Sequence, residues 1–209
     1  MNDRSKYVNL MPRRDRSMVR AKAFDPAAAL DKALRVFWKH GYEKTSVSDL
    51  IEALGINRGS LYDTFGDKRS LFLACLSRYS DVYISRVIET LSQPTPVYST
   101  LERLFHNVKD LVHEDRANWG CLMVNTANEM GIHDAIVNEA VTINFVRLEQ
   151  AFAGFLEAGK ARGEVRPETD TAASAKYLVS SFAGIATLAK TNLPASFVKD
   201  AVAVMLKGI

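Results

Sequence analysis

Thr45-Ser-Val-Ser-Asp-Leu-Ile-Glu-Ala-Leu-Gly-Ile-Asn-Arg-Gly-Ser-Leu-Tyr-Asp-Thr-Phe-Gly-Asp-Lys68 is the stretch that decides how this chain is read. Val47, Leu50, Ile51 and Leu54 recur at i, i+3, i+4 and i+7, which puts them on one helical face. Ser46 with Asp49 three residues on has the form of a capping box, in which each side chain satisfies the other residue's backbone amide. Gly55 is suited to end that helix, because glycine adopts a left-handed conformation at least cost. Asn57 is then an N-cap for a second helix. That helix turns Leu61 and Phe65 inward and leaves Arg58, Gly59, Ser60, Tyr62 and Thr64 outside. Two short helices about a glycine turn have helix-turn-helix spacing.

Thr45, Val47 and Ile51, followed by Gly55-Ile56-x-x-Gly59-Ser60-Leu61-Tyr62-x-x-Phe65-x-x-Lys68, closely resemble the DNA-binding signature of TetR-family transcriptional regulators. A generic helix-turn-helix would not demand the Tyr-x-x-Phe-x-x-Lys tail. The resemblance implies an all-α, dimeric, ligand-responsive repressor. Its N-terminal three-helix helix-turn-helix domain would be joined by a long helix to a helical ligand-binding and dimerisation domain. Its partners would be a palindromic double-stranded DNA operator, a small-molecule inducer and a second copy of the chain.

The exposed side chains of the second helix have chemistry suited to DNA. The Arg58 guanidinium matches the O6 and N7 acceptors of guanine, with phosphate as the competing partner. Gly59 lets the backbone approach the duplex, and Ser60 and Thr64 can donate to bases or phosphates. Tyr62 can bond a phosphate or pack on a thymine methyl. Thr45 and Lys68 would grip phosphate on either side, with Lys44 and Ser46 beside Thr45 completing the expected DNA-binding set. Many relatives carry an aromatic residue or histidine where this chain has Thr64. Asp63 would either accept from a cytosine amino group or pair with Arg58 or Lys68. Asp67 caps the next helix, whose free N–H groups face the DNA backbone.

Composition is that of an ordinary globular protein, with 47% hydrophobic and 24% charged residues. There is no apolar run of about 18 residues to span a bilayer. Nor is there an apolar segment behind the basic N-terminus to make a secretory signal, so a cytoplasmic location without membrane contact is expected. Cys75 and Cys121, with no CxxC pair or His cluster, argue against a disulfide framework and a zinc site, and no cofactor is expected. Residues 1–70 hold 14 Lys+Arg against 9 Asp+Glu, a net of +5, while residues 71–209 hold 13 against 15, a net of −2. A DNA-reading half needs such an excess to displace phosphate counterions, although five charges is also a modest fluctuation.

Residues 1–23 read as a flexible basic arm, a solvated tail to residue 12 and a phosphate-contacting segment from Arg13 to Lys22. The DNA-binding domain is expected over 24–70. Asp25-Pro26 opens its first helix and Gly41 closes it. Leu30, Leu34, Phe37, Val47, Leu50, Leu54, Leu61 and Phe65 are its expected core, with Trp38 at the seam to the second half. Residues 71–209 would form the ligand and dimer domain. A linking helix from about Asp67 to Thr90 would turn Leu71, Phe72, Cys75, Leu76, Tyr79, Val82, Tyr83 and Val87 inward over roughly 35 Å. A fifth helix from Val97 carries Leu101, Leu104, Phe105, Val108, Leu111 and Val112 and ends in the polar run 113–118.

Gly120-Cys121-Leu122, after Trp119 and at the mouth of a short helix, is similar to a motif in the ligand domain of a subset of TetR-like regulators. Cys121 at a helix N-terminus would have its thiol pKa lowered by the dipole and act as a sensor; alternatively it is a small buried hydrophobe under Trp119. Asn125 and Asn128 would face the pocket or cap a turn. A long helix from about Asp134 to Ala158 follows. The expected pocket is lined by Tyr83, Phe105, Trp119, Cys121, Met123, Asn125, Phe145 and Phe152, which suits a mostly apolar ligand, though such a stripe also makes ordinary core. The last two helices, about Glu168 to Thr191 and Pro194 to Leu206, carry Ala172, Ala173, Ala175, Ala183, Gly184, Ala186 and Ala189. Being apolar on more than one side, they would pair with a second copy in a four-helix interface. A Cys/His enzyme built on His106, His113 and Cys121 has no supporting motif. A helical interaction module without DNA binding is the other alternative.

Overall fold

Asp25 starts the structure as its sequence implies: its carboxylate accepts from the Ala27 amide, and Pro26 is the first residue of α1 (Pro26–His40). The computed structural model describes residues 24–106 and 119–209, and among these all regular structure is helical. The basic arm, the continuation of the fifth helix through Val108, Leu111 and Val112, and the polar run after it lie outside the described residues.

α2 (Val47–Leu54) and α3 (Arg58–Phe65) follow; α2 packs on α1, α3 on α2 and on α4 (Lys68–Tyr79), and α4 on α1. The head they form is centred on Ala33, Leu34, Phe37, Leu50, Leu54 and Leu61, all buried. Leu30, Val47 and Phe65, expected among them, are half-buried at the margin. The head's core continues past residue 70 into Leu71, Phe72 and Cys75, where the Phe72 ring meets that of Phe37 edge-on at 5.0 Å. α4 therefore belongs to the head as much as to the link beyond it.

That link is not the uninterrupted α-helix expected. Ser80–Ile84 forms a π-helical turn between α4 and α5 (Ser85–Leu91). An extra residue in a turn is held only where other groups stabilise it. Here the Ser80 hydroxyl donates to Asn144 Oδ1 and accepts from Arg147 Nη1, while the Ser85 hydroxyl donates to the Ser80 carbonyl. The turn moves the inward face by one position: Ile84 is buried, and Val82 and Tyr83, expected inside, are half-buried.

The body is built on α8 (Ala135–Ala161), with α9 (Thr171–Leu188) along it and α5 and α7 (Leu122–Met130) against its other faces. α10 (Ala195–Lys207) lies along α6 (Val97–His106). The small residues expected to form one outer surface divide. Ala172, Ala173 and Gly184 are exposed and Ala183 half-buried, but Ala175, Ala186 and Ala189 face the chain's own core. The outer apolar residues of these two helices are Tyr177, Phe197 and Val204.

Candidate nucleic-acid interface

The helix-turn-helix is fixed by local side chain to backbone bonds. The Asp49 amide donates to Ser46 Oγ and the Ser46 amide to Asp49 Oδ2, the reciprocal box read from sequence. The Ser46 backbone amide, and after it the Ser46 hydroxyl, hold the Asp49 carboxyl below the usual carboxylate range. Gly55 ends α2 at φ 69°, in the left-handed region. Asn57 Oδ1 accepts from the Ser60 amide at 2.8 Å to cap α3, and Asp67 Oδ1 accepts from the Ser70 amide to cap α4.

This framework presents Arg58, Gly59, Tyr62 and Asp63 to solvent, with Ser60 and Thr64 half-buried beside them. Leu61 is the one fully buried residue of α3. Lys44 and Ser46 are exposed at the start of α2. Lys68 Nζ stands 4.1 Å from the centroid of the Tyr42 ring, a cation held over an aromatic face. Neither Lys68 nor Arg58 forms an ion pair with Asp63 among the described residues. Thr45 departs from its expected part. Its side chain is buried and its hydroxyl donates to the Gly41 carbonyl at 2.6 Å, so in this structure it closes the α1–α2 loop from inside.

The head is tied to the body by contacts that no local pattern announces. Trp38, expected at the seam, is 2% exposed and its indole N–H donates to the Gly120 carbonyl at 2.9 Å. Its ring meets those of Tyr79, Tyr83 and Trp119 edge-on at 4.8, 4.9 and 6.0 Å. Arg69 forms a two-pronged ion pair with Asp134 at 2.7 and 2.8 Å. The Arg69 guanidinium and the Val137 amide hold the Asp134 carboxyl at about 2. Glu129, in the last turn of α7, accepts from the backbone amides of Tyr42 and Glu43. Arg69, Glu129 and Asp134 were missed from sequence: each is an ordinary surface-type charge whose partner is 65 residues or more away.

The Gly-Cys-Leu segment is a packing joint between head and body. Gly120 has φ +65°, and a Cβ there would stand 2.8 Å from the Ala186 carbonyl oxygen of α9. Cys121 caps α7 by position but is buried, and the Tyr79 hydroxyl lies 3.4 Å from its sulfur. Burial raises its thiol pKa, against the dipole-lowered value expected, and outweighs the Tyr79 hydroxyl and the Val124 and Met123 amides, which act the other way. The dipole of a two-turn helix is too weak to offset removal of a thiolate from water.

The residues expected around an inducer fall largely into two groups. Tyr83, Trp119 and Cys121 surround Trp38 and Tyr79, and Asn125 is tied to the Trp119 carbonyl and to Lys190. Phe105 and Phe152 stack at 6.2 Å, and Phe182 meets the Phe105 ring edge-on at 6.3 Å. Met123 is fully buried, Phe145 half-buried and Asn128 exposed. His106 Nε2 and Thr126 Oγ1 are buried without a hydrogen-bond partner among the described residues.

Residues 29–75 match the family model described as "Bacterial regulatory proteins, tetR family", and residues 98–205 match "Tetracyclin repressor-like, C-terminal domain". The chain is 35% identical over 190 residues to the uncharacterized HTH-type transcriptional regulator YezE of Bacillus subtilis, covering 90% of this chain and 98% of that one. It is 32% identical over 176 residues to the HTH-type transcriptional repressor ComR of Escherichia coli, covering 84% of each. A cysteine mutant of the TetR family transcriptional regulator CifR, complexed with 26bp double-strand operator DNA, has a TM-score of 0.79 at 28% identity, covering 90% of this chain and 98% of that chain.

Proposed function

The chain belongs to the TetR family and is a DNA-binding transcriptional regulator; from that premise we propose a cytoplasmic, homodimeric repressor that leaves a palindromic operator when a small, mostly apolar molecule enters its body. The observation that carries this reading is α3 itself. It is capped by Asn57 and anchored by Leu61, and it offers Arg58, Gly59 and Tyr62 to a partner. Two such helices in a dimer would enter successive major grooves about 34 Å apart. Arg58, Gly59, Ser60, Tyr62 and Thr64 would face base edges and nearby phosphates, and Lys44, Ser46 and Lys68 the flanking phosphates.

Residues 24–70 then do the reading, and 71–209 take the inducer and the second copy. The second copy would cover Tyr177, Phe197 and Val204 on α9 and α10. An inducer among Phe105, Met123, Phe145, Phe152 and the Trp119 cluster would act through α4 and its π turn, whose two packed ends lie in head and body. Buried Cys121 supports an apolar inducer over a thiol-reactive one. Coupling of about 1–3 kcal/mol is sufficient for such a switch.

The test is selection of bound fragments from genomic DNA, followed by gel shift of the selected duplex. Arg58→Ala and Tyr62→Ala should each lose sequence-specific binding while remaining dimeric in sedimentation. Weak, sequence-blind binding by the unmodified chain would replace the repressor reading with that of a helical interaction module.

A further inference from the structure

Lys44 and Ser46 lie in one short loop, 41–46, the Lys68 ammonium rests on the Tyr42 ring of the same loop, and a carboxylate from the body binds two amides of that loop. Glu129 Oε2 accepts from the Tyr42 amide at 2.9 Å and Oε1 from the Glu43 amide at 2.8 Å. Immediately after these amides come Lys44, the inward-turned Thr45 and the α2 cap Ser46. The Tyr42 ring lies 4.9 Å from Phe72 and carries Lys68 Nζ on its face. Fixing Tyr42 therefore fixes Lys68 as well as the start of α2. Gly41 makes the contact possible, for it has φ +81° and a Cβ there would stand 2.9 Å from both Glu129 carboxylate oxygens.

An acid close to a DNA-facing loop opposes binding by charge alone, because it repels phosphate and works against counterion release. Its presence here, spent on two backbone amides, calls for a gain elsewhere. We propose that Glu129 is a positioning residue for operator binding: its carboxylate holds the 41–46 loop and, through Tyr42, Lys68 in the arrangement that meets the DNA backbone. The two hydrogen bonds are charge-assisted and pair donors that the loop does not otherwise satisfy. Without them the loop samples other conformations, and apparent affinity falls by the fraction of molecules still in the competent one. The proposal rests on the reading of the chain as an operator-binding regulator.

The experiment uses the full chain, the duplex selected with the unmodified protein, and fluorescence anisotropy over a salt series. Glu129→Gln keeps the side-chain shape, removes the charge and offers one acceptor to two donors. Glu129→Asp keeps the charge and draws the carboxylate back by one methylene. Positioning predicts that both weaken operator binding, Glu129→Gln by about tenfold, with an unchanged slope of log Kd against log salt because no phosphate contact is lost. Hydrogen exchange should show the Tyr42 and Glu43 amides losing protection in both variants, with thermal midpoints near that of the parent. Charge alone predicts the opposite: tighter binding for Glu129→Gln and no change for Glu129→Asp. That opposite result overturns the positioning role and leaves the regulator reading intact, provided Arg58→Ala still releases the duplex. Failure of the unmodified chain to bind any selected sequence overturns both.

Discussion

Removing the cap of the recognition helix is the perturbation whose size follows most directly from the geometry. α3 has only eight residues, and of these only Leu61 is fully buried. Helices this short are marginal in water and depend on their ends and on packing. Asn57→Ala removes the Oδ1 that accepts from the Ser60 amide at 2.8 Å and frees the turn that carries Arg58, Gly59 and Ser60. Loss of an N-cap costs about 1 kcal/mol. A dimer reads its operator with two such helices, so the affinity should fall by about 2 kcal/mol, or about thirtyfold. The thermal midpoint should drop by only about 2–4 °C in a chain of this size. Anisotropy titration of the selected duplex measures the first and a thermal melt the second. Asn57→Ser keeps a capping oxygen and should bind close to the parent. The capping argument fails if Asn57→Ala retains full affinity, or if Asn57→Ser loses as much as Asn57→Ala, since the asparagine would then act on DNA directly.

Other measurements probe the seam between head and body. The Asp134 carboxyl, held at about 2 against an ordinary 3.8, contributes stability that is complete above the ordinary value and is lost as pH falls through the folded one. The thermal midpoint difference between the parent and Asp134→Asn should be constant near neutrality and shrink below about pH 4; a difference that persists unchanged into that range contradicts the ion pair's role. Trp38→Phe strands the Gly120 carbonyl and removes part of a ring that is 2% exposed, and should cost about 1–3 kcal/mol in urea unfolding. A variant within error of the parent would show that the indole N–H contributes nothing. Cys75 and Cys121 are both buried with thiol pKa values raised by burial, so a neutral disulfide reagent should react with them slowly in the native protein and rapidly in urea. A fast one-equivalent phase without denaturant would restore the sensor reading of Cys121.

The sequence alone was sufficient wherever an interaction closes within about four residues. Asp25 with Pro26, the Ser46–Asp49 box, left-handed Gly55, and the Asn57 and Asp67 caps all stand where their spacing puts them. The exposed positions of α3 follow from helical period and the one inward leucine. These are the features that define the helix-turn-helix, which is why the family could be read from twenty-four residues. Tertiary structure decided what depends on groups far along the chain. The π turn at Ser80 needs Asn144 and Arg147, and it moved Ile84 inward in place of Val82 and Tyr83. Thr45 has the residue type and position of a phosphate ligand, while the α1–α2 loop folds its hydroxyl back onto the Gly41 carbonyl. Ala186 looked like dimer surface, yet its carbonyl abuts Gly120. Cys121 has the helix-terminal position of a reactive thiol, but burial beneath Tyr79 governs its ionisation. A carboxylate such as Glu129, bound to amides 86 and 87 residues away, leaves no periodic trace in sequence, because what it recognises is backbone N–H, which every residue type except proline supplies.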